Sequence, residues 1–312
     1  MSQAWRFKDM PLTHLEHPED TILTGDLSVL DAFLAPNDYS VKIDGAPSIV
    51  WGTHPETGKF FVGTKSVFNK KTPKINYTVQ DICRNHPDFE LQSILIRCLH
   101  CLPRQEEVPF SVFQGDFIGF GGYRDYKPNV VSYTFDRVMN GGVVVAPHTY
   151  YTSPYQTSLR NMTAKPLTFV LLSGRGADFI QPDAWISEYG ATMNIKTMVG
   201  FARQMATLVD FATPKEAELL KKDLNAYIRD GDEVVAEEFA NYQLVRLWCL
   251  VENIKTEYMK LMRDNFKCEC FLGNDYIDGE GYVMTGEHGT YKLVNRWVFS
   301  HYNFNSGRFI RS

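Results

Sequence analysis

The stretch Tyr39-Ser40-Val41-Lys42-Ile43-Asp44-Gly45 decides how this chain is read. Tyr39–Ile43 alternates apolar and polar side chains, the period-two pattern of a strand with one buried face. Asp44-Gly45 interrupts the pattern, which puts Lys42 near a strand end. Working outward, Ser48–Trp51 is rich in strand formers, His54-Pro55-Glu56-Thr57-Gly58 reads as a turn, and Lys59–Thr64 reads as a return strand. These segments predict a meander that carries Lys42. Further strands are expected at Pro109–Phe117, Val130–Phe135, Gly142–Ala146 and Leu167–Leu172. A hairpin is expected from Gly281–Thr285 and Thr290–Val294 about the turn Gly286-Glu287-His288-Gly289.

Helical signals lie between and beside these strands. The segments 14–20 (HLEHPED) and 27–34 (LSVLDAFL) read as short helical turns, and Tyr77–Leu102 as helix, with Leu91, Ile94, Leu95 and Leu99 at helical spacing. From about Thr192 the period becomes helical throughout. Thr213-Pro214-Lys215-Glu216 is a capping box with proline at the first helical position. A long amphipathic helix is expected from about Asp232, with Ala240, Leu244, Leu247, Val251, Ile254, Tyr258 and Leu261 packing against a neighbouring helix. The chain is therefore expected to be α/β (α+β), with antiparallel sheets formed by residues 1–195 and 268–312 and a helical insertion at 196–267.

Composition narrows the class. With 44% hydrophobic and 22% charged residues, disorder cannot dominate. No apolar run is long enough to cross a bilayer, so no membrane partner is expected. Six cysteines without a secretory signal predict reduced thiols and a cytoplasmic setting. The net charge of −5 is unevenly placed. Between Lys42 and Lys74 there are six lysines against two acids, and from Tyr291 onward four cations and no acid. Phosphate contacts need such local charge rather than a basic average.

Chemistry concentrates at Lys42-Ile43-Asp44-Gly45. A lysine amine is a poor nucleophile while protonated, so it needs a lowered pKa or a partner that takes its proton. Asp44, two residues on, is expected on the same strand face, where it can orient a metal or an incoming hydroxyl. Gly45 allows a close backbone turn. An ordered set follows: Asp116 in Phe113-Gln114-Gly115-Asp116-Phe117, Phe135 on a later strand, Glu280-Gly281-Tyr282-Val283, and Tyr291-Lys292-Leu293-Val294-Asn295-Arg296.

At these positions the chain resembles the covalent nucleotidyltransferase superfamily of DNA ligases, RNA ligases and mRNA-capping enzymes. The segments HLEHPED, KIDGAPS, FVGTKSVFNKK and YKLVNR are similar to ligase-like proteins encoded by bacterial viruses, over roughly 1–150 and 270–300. The resemblance implies an antiparallel-sheet, ATP-grasp-like adenylation fold and an ATP-dependent polynucleotide ligase. Lys42 would form a lysyl-AMP adduct, the adenylate would pass to a 5′-phosphate, and a 3′-hydroxyl would displace AMP. It further implies Mg2+ or Mn2+ held by Glu280, Asp116 and Asp44. Nucleotide contacts are implied from Lys42, Gly45, Lys65, Asp116, Phe135 (stacking on adenine), Lys292 and Arg296. Nicked duplex DNA is the implied partner, as in repair or replication, with RNA or a hybrid as the alternative. A monomer in a bacterial or virus-infected cell is expected.

Lys65, Lys70, Lys71 and Lys74, interleaved with Phe68, and the terminal Arg308 and Arg311 are the expected nucleic-acid contacts. The sequence departs from the superfamily in three places. Pro47 stands where arginine is usual, Asp116 where glutamate is usual, and Val294 where a second lysine is usual. On a continuing strand Arg296 would share a face with Lys292 and supply that charge. Only sixteen residues follow Arg296, so no C-terminal OB domain is expected. These departures keep a second class open, a nucleic-acid-binding protein with weakened catalysis. Cys98-Leu99-His100-Cys101 and Cys268-Glu269-Cys270 are candidate halves of a zinc site, with buried thiols the expected reading.

Overall fold

The structure, a computed structural model, describes residues 15–104, 111–152, 158–174, 176–187 and 192–299. It begins with two short helices, α1 (Pro18–Thr21) and α2 (Ser28–Ala32), then β1 (Asp38–Lys42), β2 (Ser48–Thr53) and β3 (Phe60–Gly63). Helices α3 (Val79–Asn85) and α4 (Phe89–Cys101) follow, separated at Pro87. Next come β4 (Val112–Gly119), β5 (Tyr123–Tyr126), β6 (Val131–Met139), β7 (Val143–Thr152) and β8 (Thr163–Pro166). Two short strands, β9 (Ala177–Phe179) and β10 (Asp183–Ile186), lead to the helices α5 (Met193–Ala206), α6 (Pro214–Asp230) and α7 (Tyr242–Met259). The remaining strands are β11 (Met262–Asp264), β12 (Cys268–Leu272), β13 (Asp275–Ile277), β14 (Gly281–Gly286) and β15 (Gly289–Val294).

The strands form three sheets. The first has the order β11-β10-β1-β14-β15, the second β13-β12-β6-β5, and the third β3-β2-β4-β7-β8 with β9 parallel to β7. All other pairings are antiparallel. The expected meander is thus split. β2 and β3 form a hairpin, but β1 belongs to a different sheet, and Asp44-Gly45-Ala46-Pro47 is the crossover between them. That crossover is fastened to β4 by Ala46 N–H donating to Phe117 O and Phe117 N–H donating to Pro47 O, at 3.1 and 3.0 Å. Gly45 is needed here for space: a Cβ would lie 2.6 Å from Phe117 O.

The helices run between the paired strands β10 and β11 and share a core with the sheet. Val199, Leu224, Leu244, Trp248 and Val251 share one core with Val29, Leu30 and Phe33 and with Met284, Tyr291 and Leu293 of β14 and β15. They are the layer that buries one face of the five-stranded sheet, an obligation any half-apolar sheet carries. Their span is Met193–Met259, and β11 and β12 fall inside the 196–267 and 268–312 blocks respectively. The capping box at Thr213 is present. The long helix starts at Tyr242, capped by Asn241, rather than near Asp232, because a short turn at Ala236–Glu238 intervenes. Leu167–Leu172 is not a strand. Leu167 and Leu171 are buried against the six-stranded sheet, but Val170 and Leu172 point to solvent. A third core, including Ile43, Ile118, Tyr133, Val144, Cys270 and Val294, lies where all three sheets meet. Lys42 and Asp44 flank it.

Candidate functional site

Lys42 is the last residue of β1, and in the β1–β14 register it stands opposite Gly281. Glu280 therefore arrives beside the lysine, and Lys42 Nζ lies 2.6 Å from Glu280 Oε1. Gly281 adopts φ +140°, and a Cβ there would meet Leu293 O at 2.1 Å, so the sharp entry into β14 requires glycine. Tyr39, Tyr282, Met284 and Leu293 face the helices, so strand alternation turns Lys42, Val283 and Lys292 to the opposite face.

The electrostatics follow from this placement. Burial works against the charge on Lys42, but Glu280, then Asp44 and Asp116, outweigh it and hold the ammonium above its ordinary pKa. Burial pushes the Glu280 carboxyl up, Lys42 opposes this, and Asp44 and Asp116 add to it. Lys292 is lowered by burial and by the nearby Lys42 charge, and it has no ion pair among the described residues. Glu280 Oε2 is buried and makes no hydrogen bond among the described residues. Five other buried side-chain atoms among the described residues share this state, Glu19 Oε2 and Asp20 Oδ2 among them, so the atom does not by itself mark a ligand site.

Asp44 does not sit on the Lys42 strand face, because β1 ends at Lys42. Its carboxylate accepts from Asn129 Nδ2, and its backbone is held by the Tyr133 hydroxyl. Asp116, on β4, pairs in register with Ser48 at the start of β2. His148 of β7 approaches Asp116, with Nε2 to Oδ1 at 3.6 Å. Neither His148, Asn129 nor Tyr133 stands out in the sequence. Only the pairing of β4 with β7 and the crossover contact reveal them.

Asp44, Asp116 and Glu280 thus all act on Lys42. Among the described residues, however, no three His, Cys, Asp or Glu side chains converge closely enough to hold a metal ion. The expected carboxylate cage is not preformed among the described residues. The two cysteine segments are likewise apart, Cys98 and Cys101 on α4 and Cys268 and Cys270 on β12. Cys98 and Cys270 are buried, with the Cys98 thiol pushed up by burial, while Cys101 and Cys268 are half-buried.

Two expected contacts fall elsewhere. Phe135 is 5% exposed and enclosed by Tyr126, Tyr133 and Phe266 at centroid distances of 5.8–6.4 Å. It is a core ring with no free face for a base. Arg296 lies beyond the strand, which ends at Val294, and opens a helical turn. Its guanidinium meets Asp20 at 2.7 Å and Glu19 at 3.2 Å and lies over Trp248. Glu19 also pairs with the wholly buried Lys255 at 2.7 Å. This buried network ties α1, α7 and the end of β15 together and does not reach Lys42. Trp297 packs on the helical core and Phe299 on the core between the sheets.

Lys65, Lys70 and Lys71 are exposed and Lys74 half-buried, without ion pairs among the described residues. Gly63 pairs with Val50, so the following Lys65 lies at the end of the sheet where Ser48 and Asp116 are found. Arg308 and Arg311 lie outside the described residues. A cleft of about 270 Å³ begins one strand repeat from Lys42, at Ser40 and Val283. Pro166, Leu167 and Thr168 form its opposite wall, and Trp185 its edge.

Fold and site together define a mixed α/β protein of antiparallel sheets built around a lysine–carboxylate pair. Among the described residues no helix is long and apolar enough to cross a membrane. The chain matches a protein family described as DUF6267, a family of unknown function, over residues 12–240 and 221–308, and it belongs to that family. No curated protein and no solved structure matches it.

Proposed function

We propose that this chain is a lysine nucleotidyltransferase, and specifically an ATP-dependent polynucleotide ligase acting on nicked DNA. The observation that carries the reading is the Lys42–Glu280 pair at 2.6 Å, with Asp44 and Asp116 acting on the same amine. In the free protein Lys42 is an ammonium. Attack on the α-phosphorus of ATP requires its proton to leave, and Glu280, already hydrogen-bonded and raised by burial, is placed to take it. The Nζ lone pair then forms the N–P bond as the bond from Pα to the bridging oxygen breaks; pyrophosphate departs with that electron pair, and the second proton released from Nζ passes to it or to solvent. Lys292, on the same sheet face and without an ion pair among the described residues, supplies positive charge to the phosphoryl oxygens. The shallow cleft of about 270 Å³ beyond Ser40 and Val283 would receive the nucleoside. The lysyl-AMP adduct would then donate its adenylate to a 5′-phosphate held by the Lys65–Lys74 segment.

A second reading, a nucleic-acid-binding protein of weakened catalysis, is favoured by one observation: Val294 is buried and Arg296 is diverted, leaving no second cation beside Lys292 on β15. One experiment separates the two. Incubation with α-labelled ATP or GTP and magnesium, then denaturing electrophoresis, should leave label on the protein and not on the Lys42→Ala variant. Absence of label with either nucleotide overturns the enzymatic reading. Sealing of nicked DNA, nicked RNA or a hybrid then assigns the substrate.

A further inference from the structure

The four-stranded sheet has no counterpart in the chemistry above, yet it touches the site twice. Tyr133 of β6 is 1% exposed, and its hydroxyl accepts from Asp44 N–H at 2.9 Å and donates to Asp44 O at 3.2 Å. Asn129, just before β6, donates to the Asp44 carboxylate. On the other side of the same sheet, β12 pairs with β6, placing Cys270 opposite Tyr133, and β13 pairs with β12. Only Asp278 and Gly279 separate β13 from Glu280. One sheet thus holds the segment after the lysine and delivers its carboxylate partner.

We propose that Tyr133, assisted by Asn129, is a positioning residue: it fixes the Lys42–Asp44 segment against the four-stranded sheet whose edge strand β13 leads into Glu280, and so helps set the geometry of the Lys42–Glu280 pair. The hydroxyl is fitted for this. It uses both its donor and an acceptor site on one residue, which fixes the Asp44 backbone where the chain leaves β1. Burial and the neighbouring Glu280 charge push its pKa far up, so it keeps the proton it donates. The ring itself is held by Phe135 and Phe266, at 6.4 Å each. Tyr133→Phe therefore removes both hydrogen bonds while keeping the packing.

The positioning role stands on geometry, and its catalytic consequence rests on the nucleotidyltransferase reading; two readouts keep these apart. In the first, trace acetic anhydride modifies the full chain, and peptide mass spectrometry gives Lys42 acylation relative to exposed Lys65. Loosening the pair should raise that ratio about fivefold in Tyr133→Phe, and less in Asn129→Ala, the scale of one net hydrogen bond. Phe266→Leu, which disturbs the ring packing but no Asp44 contact, should leave it unchanged. An unchanged ratio in folded Tyr133→Phe, or an equal rise in Phe266→Leu, overturns the proposal. If Tyr133→Phe does not fold, the Asn129→Ala ratio decides by the same criterion. In the second readout, the single-turnover rate of labelling by ATP should fall about tenfold, with the half-saturating ATP concentration within about twofold, since ground-state binding is untouched. An unchanged rate in a variant with raised acylation overturns the catalytic consequence alone. A parent chain that takes no label while the acylation ratio rises in Tyr133→Phe overturns the nucleotidyltransferase reading and leaves the positioning role standing.

Discussion

Lys42 Nζ and Glu280 Oε1 lie 2.6 Å apart although 238 residues separate them in sequence. The register of β1 with β14 creates the contact, since Gly281 stands opposite Lys42 and Glu280 must precede it. The pair is partly buried, at 24% and 12% side-chain exposure, so neither charge is fully hydrated and each depends on the other.

Removing the lysine tests both sides of that dependence. Lys42→Ala is expected to abolish covalent labelling by ATP. It also leaves Glu280 with a buried, unpaired carboxylate, which should lower stability by about 3 kcal/mol at neutral pH. Lowering the pH should recover part of that loss as Glu280 takes up a proton. Urea unfolding of parent and variant at pH 5 and pH 7.5 measures it, and an equal difference at both pH values would refute it.

Glu280→Gln separates charge from shape. Loss of the nearest anion lowers the Lys42 pKa from its raised position, so reactivity toward an acylating reagent should begin at lower pH. Transfer from ATP should nonetheless slow by about 100-fold or more, because the proton acceptor is gone. Labelling that accelerates together with acylation would show that Glu280 only restrains the lysine.

Arg296 is a stability residue by its contacts. Arg296→Ala takes the nearest cation from Asp20, which keeps Lys221 at 3.6 Å, and one of two from Glu19, which keeps Lys255, and should cost about 3 kcal/mol. Val294→Lys should not rescue it, because position 294 faces the core between the sheets. Chemical denaturation checks the first statement and labelling by ATP the second. Restored labelling in the double variant would return Arg296 to the site.

His17 gives the fold a pH dependence of definite sign. Burial, with Arg296, Lys292, Lys255 and Lys221 nearby, holds its imidazole well below the ordinary 6.5, despite Glu19 at 3.9 Å. The unfolded chain then binds a proton that the folded chain refuses. The stabilisation is fully present above pH 6.5 and is lost as pH falls, at up to about 1.4 kcal/mol per pH unit. His17→Gln should flatten the melting temperature between pH 6.5 and 5. An unchanged slope there would assign the effect to other groups.

The hairpin at Gly286–Gly289, the capping box at Thr213 and the position of Lys42 at a strand end are legible in the sequence because each rests on local rules of spacing. Partner identity is not. Whether β1 pairs with β2 or with β14 depends on a crossover that local periodicity cannot see, and the short strands β9 to β13 carry too few residues for a pattern. Arg296 reaches the Lys292 face only on a strand that continues past Val294, and the strand stops there. Phe135 looks available for a base because an isolated strand does not show the three rings that enclose it. Tyr133 and Asn129 act through hydrogen bonds to a distant backbone, which leave no mark in the sequence.

The lysine segment after β3 makes the last prediction. Lys65, Lys70 and Lys71 are exposed, and no acid among the described residues pairs with them. Lys65 lies at the Asp116 end of the sheet, and Lys70 and Lys71 follow it in the same loop, so these cations raise local positive potential despite a net charge of −5. If they bind phosphates, removing any one of them should lower the salt slope of duplex binding by about 0.9. Replacing all three by alanine should therefore weaken binding of nicked duplex most at low salt and reduce the slope by about 2–3. Labelling of Lys42 by ATP without nucleic acid should survive in the Lys70→Ala, Lys71→Ala double variant, since neither is an implied nucleotide contact, whereas Lys65→Ala also tests the nucleotide. Binding measured from about 50 to 300 mM salt, the range over which counterion release is steep, decides the matter. A slope equal to that of the parent would make these lysines a solvated surface and move the nucleic-acid path to another face.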